Sequence, residues 1–229
     1  MTPLRIDIAL SGPMERPVNP IHLDGLIANR LVRRDLPADT HLDLIKTRIL
    51  ELPLARMEVG GDWVWAASTI AFEWTAPPSQ AFATLAIRAH EIAPIQASGI
   101  MTNRAPDTKI DTARGQYKAG TYARDRQWAA RAMAFCIGDE EQIRDLMTGL
   151  DQIGPRRRLG AGVVTGVEVV QDERALDLWR RRSLPVGADG PGRLAEGAYR
   201  LPPYDPANRT VVRTYPLEYA ETIAASKAA

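Results

Sequence analysis

The chain has 229 residues, 45% of them hydrophobic, and one cysteine, a composition that excludes a disordered or disulfide-stapled polypeptide and leaves room for one large core or two small ones. With 29 Lys and Arg against 28 Asp and Glu the formal charge is +1, so any nucleic acid must be held by a local patch and not by the field of the whole molecule. Three histidines and a single cysteine give no zinc-site spacing and no cofactor motif, and no stretch resembles a secretion signal or a membrane span, so a soluble, cytoplasmic protein with no membrane contact is the expectation.

Leu4 to Leu10 alternates apolar and polar residues, as a strand with one buried face does. After the turn-forming Gly12-Pro13 and Pro17-Val18-Asn19-Pro20, the segment from His22 to Arg34 repeats its apolar residues at helical spacing. Residues 35–61 read as a less regular insertion. Trp63, Trp65, Phe72 and Trp74 mark extended structure that ends at Pro77-Pro78, and Ala83 to Ala89 is a weaker strand candidate. The three tryptophans suit a core or an interface better than a stacking platform.

Residues 96–127 are polar and glycine-containing, the pattern of a long projecting hairpin or loop. Charge is segregated here: from Lys109 to Arg131, the cations Lys109, Arg114, Lys118, Arg124, Arg126 and Arg131 face only Asp111 and Asp125. Such cations can meet phosphates while Tyr117 and Tyr122 stack on bases; the alternative is a solvated hairpin with cross-strand tyrosines. Trp128 to Ile137 supplies a further strand, and Asp139 to Leu150 reads as an amphipathic helix with an acidic first turn, which explains Asp139, Glu140 and Glu141 without a metal.

The helix leads into Pro155-Arg156-Arg157-Arg158-Leu159-Gly160-Ala161-Gly162, and Val163 to Val170 is then a strand. Three cations beside two glycines suit a polyanion backbone, since the guanidinium fork grips two phosphate oxygens and glycine lets another backbone pass close. The plainer reading is a helix C-terminus with favourable cations and a glycine turn. His22 could act as a general base on a 2′-hydroxyl, but at a helix start it fits a structural or RNA-contact role better. Arg180 to Arg182 is either a solvated charge run or a second contact. From Asp172 onward the pattern fades, with one late strand at Thr210 to Tyr215.

The element order is β-α-β-β-α-β, so the expected fold class is α+β, a ferredoxin-like (RRM-like) domain over 1–172 with insertions at 35–61 and 96–127, and an irregular C-terminal extension over 173–229 packed on it. Pro20-Ile21-His22-Leu23-Asp24-Gly25-Leu26-Ile27-Ala28 and Arg157-Arg158-Leu159-Gly160-Ala161-Gly162-Val163 resemble, in order and spacing, the first-helix opening and the glycine-rich loop of CRISPR-associated RAMP proteins. Within that superfamily the chain most resembles the Cas-five-type subunit of type IV effector complexes. The resemblance implies a non-catalytic subunit that holds the 5′ handle of a guide RNA (crRNA) between the loop and a thumb-like insertion. It makes Arg156, Arg157, Arg158, Gly160, Gly162, Lys109, Arg114, Tyr117, Lys118, Tyr122, Arg124 and His22 the candidate RNA-binding residues, with no catalytic residue, no metal and no cofactor. Its partners would be guide RNA, repeated backbone subunits and a large subunit, with target DNA met through the complex. The rivals are a metal-independent guide-processing endoribonuclease of the same superfamily, using His22, and a phosphate-binding small-molecule enzyme. The latter is disfavoured because its phosphate motif would lie between a strand and the next helix.

Overall fold

The computed structural model describes residues 1–37, 39–85, 120–155, 157, 160–187 and 192–219. In chain order these form β1 (Thr2–Ser11), β2 (Pro13–Glu15), α1 (Leu23–Asp35), α2 (Leu42–Arg48), β3 (Arg56–Val59), β4 (Asp62–Trp65), β5 (Ala71–Trp74), β6 (Ser79–Leu85) and β7 (Gly120–Gly138). There follow α3 (Glu140–Met147), β8 (Val163–Gln171), α4 (Ala175–Leu178), β9 (Ser183–Pro185), β10 (Arg193–Ala198) and β11 (Arg209–Thr214). The protein is α+β, with antiparallel sheets and four helices among the described residues. The chain divides into two compact units, one of residues 1–77 with 127–229 and one of residues 78–126.

In the first unit β1 lies between β7 and β8, antiparallel to both, and β5 adds to the far side of β7. Alternation decides which face is buried: Leu4, Ile6 and Ile8 of β1 are fully buried, while Arg5 and Asp7 point the other way and pair at 2.8 Å. On the buried face β7 contributes Ala132, Ala134 and Cys136, small residues over which Leu23, Ile27 and Leu31 of α1 and Ile143, Leu146 and Met147 of α3 pack in one cluster. Burial pushes the Cys136 thiol up to about 12, so it remains a protonated core residue. Helix α3 starts where Asp139 accepts from the Gln142 N–H at 3.0 Å and from its amide at 3.0 Å. At its other end Arg30 of α1 donates to the Leu146 and Thr148 carbonyls at 2.9 and 2.6 Å, satisfying groups the helix itself leaves open.

Residues beyond 172 are more regular than expected. Strands β10, β11 and β9 form an antiparallel sheet in that order. Its core joins Trp179, Leu184, Tyr199, Val212 and Tyr215 to Val64 and Ala66 of the β3–β4 region. Of these strands β11 covers the late strand expected at Thr210 to Tyr215, whereas β10 left no sequence signal because Arg193 to Glu196 are all exposed and no alternation marks it. Within 35–61, read as irregular, lie α2 and β3; α2 buries no residue, so it carries no apolar stripe. In the second unit the first three residues of the Ala83 to Ala89 candidate lie in β6, which pairs with the start of β7 from Ser79 opposite Arg126 to Leu85 opposite Gly120, and residues 86–89 lie outside the described residues. The intervening part of the expected 96–127 hairpin lies outside the described residues.

Candidate nucleic-acid interface

After a bend at Val18 and Asn19, His22 takes the N-cap position of α1 at φ −86° and ψ 138° without a side-chain cap bond. One residue into the helix, Asp24 turns inward and meets Arg182 at 2.9 Å, both side chains essentially unexposed. Arg182 also donates to the carbonyls of Trp65, Ala67 and Tyr199 at 2.7, 3.0 and 2.8 Å. A buried guanidinium is tolerated only when its donors are filled this way. Arg182 is therefore neither a solvated charge nor a surface contact, which corrects the expectation for the last residue of the Arg180 to Arg182 run, while Arg180 is exposed; Arg182 ties α1, the end of β4 and the C-terminal sheet together.

His22 stands beside this pair. Desolvation, reinforced by the Arg182 charge and only partly opposed by Asp24, lowers its pKa to about 4. At neutral pH the ring is an uncharged imidazole that offers one donor and one acceptor.

The glycine-rich loop has two different glycines. Gly162 has φ +62°, and a Cβ there would sit 1.9 Å from the Ile153 carbonyl oxygen, so its place is fixed by backbone packing inside the protein. Its carbonyl accepts from the Ile153 N–H at 2.9 Å. Gly160, at φ +75°, has nothing within 4 Å of where a Cβ would stand, among the described residues. Its N–H donates to the Arg157 carbonyl at 2.9 Å, so the loop uses that donor itself.

His22 and the start of α1 line a cleft of about 830 Å³ together with Ile153, Gly154 and Arg157, at and just before the glycine-rich loop, and with residues of β10 and β11. The two motifs, far apart in sequence, thus share one concavity. Arg200 also lines it, but is tied to Asp62 at 2.9 Å and to the Asn208 side chain at 2.8 Å and lies over the Trp63 ring. Arg209 is less committed, with Glu196 at 4.0 Å and the Pro203 carbonyl at 3.4 Å. Glu196 and Arg209 went unnoticed in sequence, where nothing distinguishes them from other surface charges.

Of the remaining candidates, Tyr122 lies on β7 opposite Ala83 and Arg124 opposite Ala81, where Arg124 is 8% exposed. These two belong to the second unit. Lys109, Arg114, Tyr117, Lys118, Arg156 and Arg158 fall outside the described residues. Trp65 is a core residue and packs edge-on to Trp63 at 5.2 Å, with Arg56 over both rings. Among the described residues no group of three or more His, Cys, Asp or Glu side chains could hold a metal, and no helix is long and apolar enough to cross a membrane.

A sequence model of the family described as CRISPR type IV associated protein Csf3 matches residues 2–213. No curated protein matches the chain.

Proposed function

Because the chain belongs to the family of CRISPR type IV associated protein Csf3, the Cas-five-type subunit of type IV systems, we propose that it is the non-catalytic subunit that binds guide RNA and caps its 5′ handle. The observation that carries this reading is the meeting of the first-helix motif, through His22 and Gly25, with Arg157 of the glycine-rich loop in one cleft. A mixed lining of apolar surface, neutral polar groups and a few arginines suits the bases and phosphates of single-stranded RNA.

The strand order β5-β7-β1-β8, with α1 and α3 on one face, supports a ferredoxin-like domain of the RAMP type in the first unit. The basic residues between Lys109 and Arg131 supply further phosphate contacts, and the neighbours in the complex are repeated backbone subunits and a large subunit, working in the cytoplasm on target DNA. His22 argues for holding and not cutting: a ring with a pKa of about 4 is a weak base at neutral pH, below the range in which general-base catalysis is efficient.

The test is co-expression of the tagged chain with its genomic neighbours, followed by sequencing of RNA that survives nuclease. Repeat-derived RNA with a uniform protected 5′ end is the expected result. A chain that purifies alone and free of RNA would overturn the reading. Cleavage of repeat RNA in EDTA that disappears in His22→Ala would replace it with an endoribonuclease.

A further inference from the structure

The cleft's second wall belongs to the C-terminal sheet, whose residues carry no ligand motif. Four described arginines line the cleft: Arg157, Arg182, Arg200 and Arg209. Their availability differs. Arg182 is buried and fully engaged with Asp24 and four carbonyls, those of Trp65, Ala67, Ser183 and Tyr199. Arg200 is held by Asp62 and Asn208. Arg209 is 46% exposed and its acidic neighbour Glu196, across β10 and β11, is 80% exposed and only at the outer limit of an ion pair, 4.0 Å. An exposed pair at that distance is weakly held, whereas a phosphate offers the guanidinium two oxygens in a bidentate fit.

We propose that Arg209 is a phosphate ligand of the RNA in this cleft, and that the Glu196 carboxylate stands in for that phosphate while the cleft is empty. This rests on the RNA-binding reading given above and extends it to the part of the cleft lined by the C-terminal sheet. Arg157 and Arg209 line the same cleft, so both hold the sugar-phosphate chain there, while the apolar surface of Pro17, Pro20, Leu201 and Pro203 in the same lining suits the bases. On entry the phosphate displaces Glu196, whose side chain swings to solvent; no covalent change is involved. Glu196 thereby sets a threshold: an anion must outcompete it, so weakly charged ligands are excluded.

The test uses the full chain and a fluorescein-labelled, mixed-sequence single-stranded RNA, titrated at several salt concentrations. Arg209→Ala is expected to weaken binding about tenfold and to make the salt slope shallower by roughly 0.7, the counterion equivalent of one lost phosphate contact on a single strand. Arg209→Lys should recover part of the affinity, since it keeps the charge and loses the fork. Glu196→Gln should tighten binding about two- to threefold, and should do nothing in the Arg209→Ala background, because its effect passes through Arg209. Thermal melts of each variant establish that folding is intact. If Arg209→Ala leaves affinity and slope unchanged while Arg157→Ala lowers both, the second wall does not hold RNA and the proposal fails while the RNA-binding reading stands. If Glu196→Gln tightens binding equally in both backgrounds, Glu196 is a general repulsive charge and the stand-in role is overturned. Absence of RNA binding by the unaltered chain would remove both readings together.

Discussion

At the scale of single residues, the centre of the cleft is unusual for placing a neutral histidine beside a fully buried ion pair. The His22 pKa is lowered from 6.5 to about 4 in the folded chain, so as pH falls below 6.5 the unfolded chain takes up its proton first. The stability that depends on the neutral ring is whole above that pH and is lost progressively toward pH 4. His22→Gln should flatten the pH dependence of thermal unfolding between pH 6.5 and 4 by on the order of 2 kcal/mol, measured by melts across that window; an unchanged profile would show that the ring is not desolvated. The Asp24–Arg182 pair has both partners at 1% exposure or less, so Asp24→Ala strands a cation in the core and should cost about 3 to 5 kcal/mol in denaturant unfolding. A loss below 1 kcal/mol would mean that water or another acceptor reaches Arg182. Sequence could not anticipate this pair. Asp24 sits where an acid normally meets the helix dipole, and Arg182 is the last of three identical letters.

Among the elements, the glycine-rich loop contains two positions that look equivalent in sequence and differ in space. Gly162→Ala places a Cβ against the Ile153 carbonyl in a left-handed conformation and should destabilise by roughly 3 kcal/mol or more. Gly160→Ala meets nothing nearby among the described residues and should cost only about 1 kcal/mol of backbone strain. Gly160 is therefore the position at which bulk can probe ligand passage without unfolding the loop, and chemical denaturation of the two variants side by side checks the ranking; equal losses would contradict the packing described. Where an element is half-buried and regular it was legible in the sequence: β1 by alternation, α1 by its apolar stripe, α3 by its acidic start, and the strand after the glycines. Of the C-terminal sheet only β11 was legible, as the late strand at Thr210 to Tyr215; β9 and β10 were not, because short strands with an exposed edge and intervening Gly and Pro residues leave neither period in the sequence. Of the cleft, the two motif-bearing segments were legible; the wall carrying Glu196 and Arg209 depends on strand pairing that local pattern does not encode.

For the molecule as a whole, a formal charge of +1 makes local placement of cations decisive, and the division into two units allows their roles to be separated. Next to the boundary, the Thr75 N–H donates to the Trp128 carbonyl at 3.0 Å and the Gln127 amide to the Ala76 carbonyl at 2.9 Å. The chain can therefore be closed there: joining Pro77 to Gln127 through an Asn-Gly hairpin turn should leave the first unit folded, with one cooperative thermal transition near that of the intact chain. The shortened chain should bind single-stranded RNA more weakly and with a shallower salt slope, since it lacks the basic residues of 78–126. Loss of the thermal transition would mean that the units depend on each other for folding. The cleft, by contrast, cannot be divided, for one wall comes from residues 17–29 and the other from residues 195–214, with Asp24 and Arg182 joined beneath. During synthesis the first wall leaves the ribosome long before its counterpart exists. Until β11 has followed, the cleft lacks part of its lining, so under the RNA-binding reading proposed above ligand capture waits on translation and only chains that have reached that point can compete for it.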